Sequence, residues 1–362
     1  MGIKVLIAAA GTGGHVYPAI ALADFLKSKG AEVFFLTSDR GEREILERKG
    51  YTYKELSYRG FYRRFCFQNV LRGLKLGIAF LQCISLLMQI KPNIVLGMGG
   101  YGEVPPILAG KLLGIKTLIH EQDVIPGLST RLLARFVDKI SLAYEETLQF
   151  LRESVVGKCV VTGNPVREEI LRVTPGKAKK KWGFEGKKVL LAFGGSLGAK
   201  TINDSVLGLI REPAYKDVLD EWGIILITGK KNFKEVKQSL ADLDRGNSPA
   251  FKILPYIDNI WDAYEAADLV LSRAGANTIA ELEALGLPAI LVPYPYSTAN
   301  HQFFNARILE KKGQAIVLED SKLNPLELYS ILKKNTIVRG AFRLKHRVNP
   351  TECLGKVVLS LV

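Results

Sequence analysis

The sequence predicts an α/β protein of two Rossmann-like domains whose parallel sheets face a common cleft. Strand-like apolar runs alternate with helix-length amphipathic segments along the whole 362 residues. The runs are continuous and rich in β-branched residues, which marks strands buried on both faces and so parallel sheets covered by helices. A stretch rich in Lys, Gly and Pro divides them into two series, and a chain of this length is long for one core.

In the first series the runs are "VLIAAA" (5–10), "AEVFFLT" (31–37), "NIVLGMG" (93–99), "KTLIH" (116–120) and "KCVVTG" (158–163), with helical patterns such as 19–29 and 104–113 between them. After "GNPVR" (163–167) apolar periodicity lapses through "EEILRVTPGKAKKKWGFEGKK", which predicts a linker over 164–187. The second series follows as "KKVLLAFGG" (187–195), "GIILITG" (223–229), "AFKIL" (250–254), "ADLVLSRAG" (267–275) and "LPAILVP" (287–293). The expected domains are therefore 1–163 and 188–340, with 341–362 a C-terminal helical segment packing back on the first. Loops at the carboxyl ends of both sheets would share the cleft, where ligands of such folds bind.

Composition is that of an ordinary globular protein, with 48% apolar and 24% charged residues. The net charge of +14, from 50 basic and 36 acidic residues, predicts an anionic partner: nucleic acid, an acidic substrate or a membrane surface. Cys66, Cys83, Cys159 and Cys353 are scattered without a C-x-x-C pair, which argues for free thiols in a reducing compartment rather than a zinc or disulfide framework. The first apolar run has only Lys4 before it and feeds directly into a glycine loop, so it reads as a core strand and not a signal peptide.

Three strand-end loops carry glycine clusters: "GTGGH" (11–15), "GMGGYG" (97–102) and "GGSLGAKT" (194–201). One such cluster can be only a tight turn; three at equivalent junctions suggest backbone N–H groups and helix N-termini directed at an anion. The first departs from G-x-G-x-x-G, with Val16 at the third glycine and His15 in the gap, before a helix that Pro18 can open. The third approaches a Walker A loop, but Ala199 replaces its second glycine, so a helix N-terminus with Ser196 holding a diphosphate is the better reading. "SRAGANTIAE" (272–281) repeats the strand, turn and helix pattern and places Glu281 where a carboxylate can accept from ribose hydroxyls; a solvated helix-face glutamate is the alternative. "STANHQFFNA" (297–306) offers His301, Gln302 and Asn305 to a sugar, or else caps a helix.

Between Glu55 and Glu103 there is no acidic residue. Within it, Arg59, Phe61, Arg63, Arg64, Phe65, Arg72 and Lys75 form a basic, aromatic cluster of the kind that lies on anionic lipid. The run 74–90 is interrupted by Lys75, Gln82, Ser85 and Gln89 and falls short of a spanning helix; a buried core helix is its other reading.

"GTGGHVYPA", "GMGGYG", "HEQD", "GNPVREE", "GGSLGA", "SRAGANTIAE" and "NHQFFNA" together, in this order and spacing, resemble the MurG family of UDP-N-acetylglucosamine transferases, which convert lipid I to lipid II in peptidoglycan synthesis. The resemblance implies a GT-B fold, with the acceptor and membrane on the N-terminal domain and the donor nucleotide on the C-terminal one. It implies that Thr12, Gly13 and Gly14 border the donor, that His15 is the base, and that Arg167 and Ser196 contact the diphosphate or adjoining sugar. Ile257 would meet the uracil, and Ala276, Asn277, Thr278, Ile279, Ala280 and Glu281 would hold diphosphate and ribose, with Glu281 on the ribose hydroxyls. Gln302 would read N-acetylglucosamine, and Asp123, which stands where the family usually has asparagine, would accept from a sugar hydroxyl. A second departure is "GEVPP" (102–106), where the family commonly has a Val-Ser-Gly-Pro-like run. Implied partners are UDP-N-acetylglucosamine, lipid I, an anionic membrane surface and other cell-wall synthesis enzymes. No cofactor, metal or nucleic acid is implied, and the location is peripheral, on the cytoplasmic face of the plasma membrane.

The chemistry agrees with these parts. Inverting transfer to a hydroxyl needs a base on the acceptor side, which an imidazole with a pKa of about 6.5 can supply. The departing diphosphate needs hydrogen-bond donors, which helix N-termini and Arg167 can provide. The rivals are another lipid-directed glycosyltransferase, such as a glycosyldiacylglycerol synthase, and a sugar-nucleotide epimerase, which needs no membrane surface. A basic P-loop or nucleic-acid protein is disfavoured by Ala199 and by the lack of a recognisable nucleic-acid module.

Overall fold

The computed structural model describes residues 2–9, 13–37, 42–56, 67–195, 197–241, 251–334 and 349–362, with backbone alone at 13, 42 and 67–74. The apolar runs of the first series become β1 (Lys4–Ala8), β2 (Glu32–Thr37), β4 (Ile94–Gly97), β5 (Lys116–Glu121) and β7 (Cys159–Val161) of a parallel sheet. Two more strands, β3 (Thr52–Glu55) and β6 (Lys139–Leu142), complete its order β3-β2-β1-β4-β5-β6-β7. The second series becomes β8 (Lys188–Phe193), β9 (Trp222–Ile227), β10 (Phe251–Leu254), β11 (Leu269–Ser272) and β12 (Ala289–Leu291), joined by β13 (Ala315–Val317). Their order is β10-β9-β8-β11-β12-β13, and every pair is parallel.

The central strands explain why continuous apolar runs were their signature. All four residues of β4 and all six of β9 are buried, because helices cover both faces. The three strands with no such run are short. β3, "TYKE", and β13, "AIV", lie at sheet edges, and β6, "KISL", is interrupted by the buried Ser141.

The chain folds as two units, one of residues 1–167 with 348–362 and one of residues 168–347. The 164–187 stretch divides at Arg167. Beyond it, short helices Glu168–Leu171 and Lys179–Trp182 belong to the second unit, where Lys179 pairs with Asp268 at 2.7 Å and Phe184 is fully buried over Gly223. Helix Pro350–Ser360 belongs to the first unit. Asn349 caps it by accepting from the Thr351 and Glu352 N–H groups, and Leu354 and Val358 enter the core beside helix Gly13–Ser28. Gly355 is needed there, since any Cβ would collide with the Phe25 ring. The Thr351 hydroxyl closes the joint, donating to the Val166 carbonyl at 2.8 Å and accepting from its N–H at 3.0 Å.

Pro18 does not open its helix: the helix begins at Gly13, so Pro18 lies in its second turn. Glycines at 13 and 14 continue the helical backbone toward β1, and the donor that Pro18 lacks would have served the exposed Gly14, where water can substitute. Helix Phe67–Ile90 is a core helix on one face only. Ala79, Cys83 and Leu87 point into the core, while Ile78, Leu81 and Met88 are 57%, 65% and 60% exposed. Among the described residues no helix is long and apolar enough to cross a membrane.

Candidate active site

In the first sheet the strand order reverses at β1, with β2 on one side and β4 on the other. The carboxyl ends of β1 and β4 flank this reversal, which is where open parallel sheets take ligands. His15 stands here in the first turn of the 13–28 helix, half-buried. Its Nδ1 is 3.1 Å from the Met98 carbonyl oxygen, to which Gln122 Nε2 also donates at 2.8 Å. An Nδ1–H donated to that carbonyl puts the lone pair on Nε2. The ring lies on Gly99, whose φ of 98° suits glycine alone; a Cβ there would come within 2.9 Å of the imidazole. The Arg167 guanidinium sits 4.8 Å over the Tyr17 ring, on the same helix as His15.

The "HEQD" run occupies the end of β5 and the turn after it, and its first three residues are buried. His120 contacts the Ser141 hydroxyl through Nδ1 at 2.8 Å and Asn164 Oδ1 through Nε2 at 3.1 Å. Burial pushes its pKa down to about 4, so it is neutral at pH 7. Burial and the Asp123 charge push Glu121 up to about 7, against donors from Thr130 Oγ1 and the Asp123 and Gly127 amides. Asp123 itself is half-buried at the end of this turn.

In the second sheet the order reverses at β8, between β9 and β11. Loop 194–199 leads from β8 to helix Lys200–Arg211, and 273–275 leads from β11 to helix Ala276–Leu285. Gly198, at φ 78°, lies so close to Thr228 that a Cβ would collide with its carbonyl. Ala276, Asn277 and Thr278 form the half-exposed first turn of their helix; Ile279 and Ala280 are buried, and the Ile279 N–H is bonded to the Gly275 carbonyl. Glu281 is held rather than solvated: the buried Tyr264 hydroxyl donates to its Oε2 at 2.9 Å. Ile257 is half-buried beyond β10, and Gln302 Oε1 accepts from the Tyr294 N–H at 2.9 Å. Arg273 bonds the Val292 carbonyl and Asp320, whose other oxygen accepts from Thr201 at 3.0 Å, so the turn after β11 is tied to the first turn of the 200–211 helix.

Thr12, Ser196, Arg59, Phe61, Arg63, Arg64 and Phe65 lie outside the described residues, and of Gly13 and Arg72 only the backbone is described. Gly14 and Lys75 are exposed. The structure thus gathers His15, Arg167 and Asp123 on the first unit and 276–281, Ile257 and Gln302 on the second. Sequence reasoning passed over Tyr17, Glu103, Gln122, Tyr264 and Arg273. Tyr17, Gln122 and Arg273 lie inside quoted motifs and Glu103 inside "GEVPP", whereas Tyr264 carried no signal.

Residues 5–142 match the glycosyltransferase family 28 N-terminal domain and residues 189–337 its C-terminal domain. A UDP-N-acetylglucosamine--N-acetylmuramyl-(pentapeptide) pyrophosphoryl-undecaprenol N-acetylglucosamine transferase from Halothermothrix orenii is 41% identical over 98% of this chain and 95% of its own length. The chain belongs to the MurG family of glycosyltransferases. Its fold is GT-B: the crystal structure of Acinetobacter baumannii MurG superposes with a TM-score of 0.74 at 27% identity, covering 99% of each chain. A UDP-GlcNAc 2-epimerase from Neisseria meningitidis, bound to UDP-GlcNAc, has a TM-score of 0.64 at 15% identity, covering 99% of each chain, and shares the fold alone.

Proposed function

We propose that this MurG-family chain transfers N-acetylglucosamine from UDP-N-acetylglucosamine to the muramyl 4-hydroxyl of lipid I, giving lipid II with inversion at the transferred carbon. The observation that carries it is the 41% identity sustained over 98% of the chain with a transferase of that name.

In this reading His15 is the base. The acceptor hydroxyl attacks the anomeric carbon; the new carbon–oxygen bond forms as the bond to UDP breaks, and the hydroxyl proton passes to Nε2. The Nδ1 contact with the Met98 carbonyl at 3.1 Å supports the role, because that carbonyl can only accept and so favours the Nδ1–H tautomer over the one that the longer 3.4 Å contact from Gln122 Nε2 would suit. The departing diphosphate is received by Ser196, Arg167 and the N–H groups that open the 200–211 and 276–285 helices. Glu281, steadied by Tyr264, takes the ribose hydroxyls. Ile257 meets the uracil, Gln302 and Asp123 meet the sugar, and Thr12, Gly13 and Gly14 border the donor. The first unit holds the acceptor and the second the nucleotide.

The enzyme works peripherally, on the cytoplasmic face of the plasma membrane. Exposed Ile78, Leu81 and Met88 beside Lys75 support a lipid-facing surface continuous in sequence with the arginine-rich 59–72 segment.

The test is an assay with radiolabelled UDP-N-acetylglucosamine and a lipid I analogue. His15→Ala should keep donor affinity and lose about 100- to 10,000-fold in kcat, the usual contribution of a general base. Normal turnover by that variant rejects the assignment.

A further inference from the structure

The structure puts the acidic residue of "GEVPP" (102–106) beneath the turn on which His15 lies. Glu103 is 0% exposed. Its Oε2 accepts from the Gly99 N–H at 2.7 Å, and its side chain fills the space over Gly97, where a Cβ would come within 2.9 Å of the Glu103 Cβ. The Gly99 N–H and the Met98 carbonyl are the two ends of one peptide plane. One end is held by Glu103; the other accepts from His15 Nδ1 at 3.1 Å and from Gln122 at 2.8 Å. Gly99 has φ 98°, a region open to glycine alone, so its own sterics do little to stop that peptide from rotating.

We propose that Glu103 is a positioning residue for His15: by anchoring the Gly99 N–H it fixes the orientation of the 98–99 peptide, and so the carbonyl that sets the imidazole tautomer. The proposal rests on the reading of His15 as the base. The groups that bear on Glu103 are the Gly99 N–H, the Ser129 hydroxyl and the Glu121 carboxyl; Asp123 acts on Glu121, and His15 on His120. Burial, with the Glu121 charge, pushes Glu103 up to about 8 against donors from Ser129 and the Gly99 N–H, which favours the neutral acid at pH 7. A neutral amide should therefore replace it.

Glu103→Gln retains an acceptor for the Gly99 N–H, and Glu103→Leu removes it. With the same two substrates, the glutamine variant should keep kcat within about threefold. The leucine variant should lose up to about 100-fold in kcat, as misplaced catalytic groups do, with the donor KM within about twofold. The chain has four histidines, so ring nitrogen NMR of the substrate-free protein resolves His15, assigned with His15→Ala. The Nδ1–H tautomer should persist in Glu103→Gln and give way to a tautomer mixture in Glu103→Leu. Glu103→Ala, which has no acceptor for the Gly99 N–H, should repeat the leucine result if that variant does not fold. An unchanged tautomer in the leucine or alanine variant overturns the proposal, as does a glutamine variant equally impaired. The NMR readout needs no turnover, so it separates this failure from the failure of His15 as base, which His15→Ala kinetics would show.

Discussion

The buried carboxyl under the turn should make the first unit's stability depend on pH in a way that one substitution removes. Glu103 ionises at about 8 in the folded chain against 4.5 for the free side chain. Between those values folding takes up a proton. Its contribution is thus fully present below about pH 4.5 and declines by about 1.4 kcal/mol per pH unit as pH rises, until the folded group ionises too. Glutamine has no proton to take up. Relative to the wild type, Glu103→Gln should therefore gain about 2 kcal/mol in the first unit between about pH 6 and pH 7.5. Glu121, also raised, is present in both proteins, so its own titration cancels apart from the part it shares with Glu103. Any change in packing around the amide adds a constant and leaves the slope intact. Tryptophan fluorescence would miss the effect, because Trp182, Trp222 and Trp261 all lie in the second unit. Hydrogen exchange of peptides covering β1, β4 and β5, corrected for intrinsic rates, reads the correct unit. A difference between the two proteins that does not change with pH would show that Glu103 carries no proton, and the reasoning would fail.

Three other perturbations address the remaining parts. Thr351→Val should destabilise the first unit by about 1–3 kcal/mol in the same exchange measurement, since it strips both hydrogen bonds from the buried Val166 backbone; unchanged protection of the 350–360 helix would contradict the joint. Tyr264→Phe should weaken UDP binding by about 1 kcal/mol in titration calorimetry, because Glu281 loses the hydroxyl that orients it; wild-type affinity would place Glu281 outside the nucleotide site. Replacing Ile78, Leu81 and Met88 together with glutamine should reduce binding to anionic vesicles while leaving turnover of a water-soluble acceptor analogue intact; undiminished binding would remove this helix face from the membrane surface.

Most of the fold was legible because burial on both faces leaves a signal that local chemistry cannot hide. β1, β4, β8 and β9 are continuous apolar runs for that reason. β3 was illegible because an edge strand meets solvent, and "TYKE" needs no apolar character to pair with β2. β6 was hidden by the requirements of a neighbour: Ser141 sits in mid-strand to contact His120 and Thr162. The helix start at Gly13 was misread because proline marks a first turn only when the residues before it cannot be helical.

The site shows the same division at a finer scale. The residues that form the likeness to the family, His15, Arg167, Glu281 and Gln302, sit in contiguous motifs and can be read from them. What holds them comes from elsewhere in the chain: Tyr264 is 17 residues from Glu281, and Gln122 is 24 from the carbonyl it shares with His15. Glu103 is the instructive case, because it lies four residues from the glycine it anchors and still could not be read. In sequence it is an acidic residue beside a glycine turn, which by composition belongs in solvent. Gly97 and Gly99 decide otherwise, and for different reasons. Gly97 leaves room beneath the turn for a carboxyl, while Gly99 leaves room above it for an imidazole. A glycine pair two residues apart thus lets one peptide be gripped by both side chains at once, and the motif's glycines specify the neighbours of the backbone as much as its conformation.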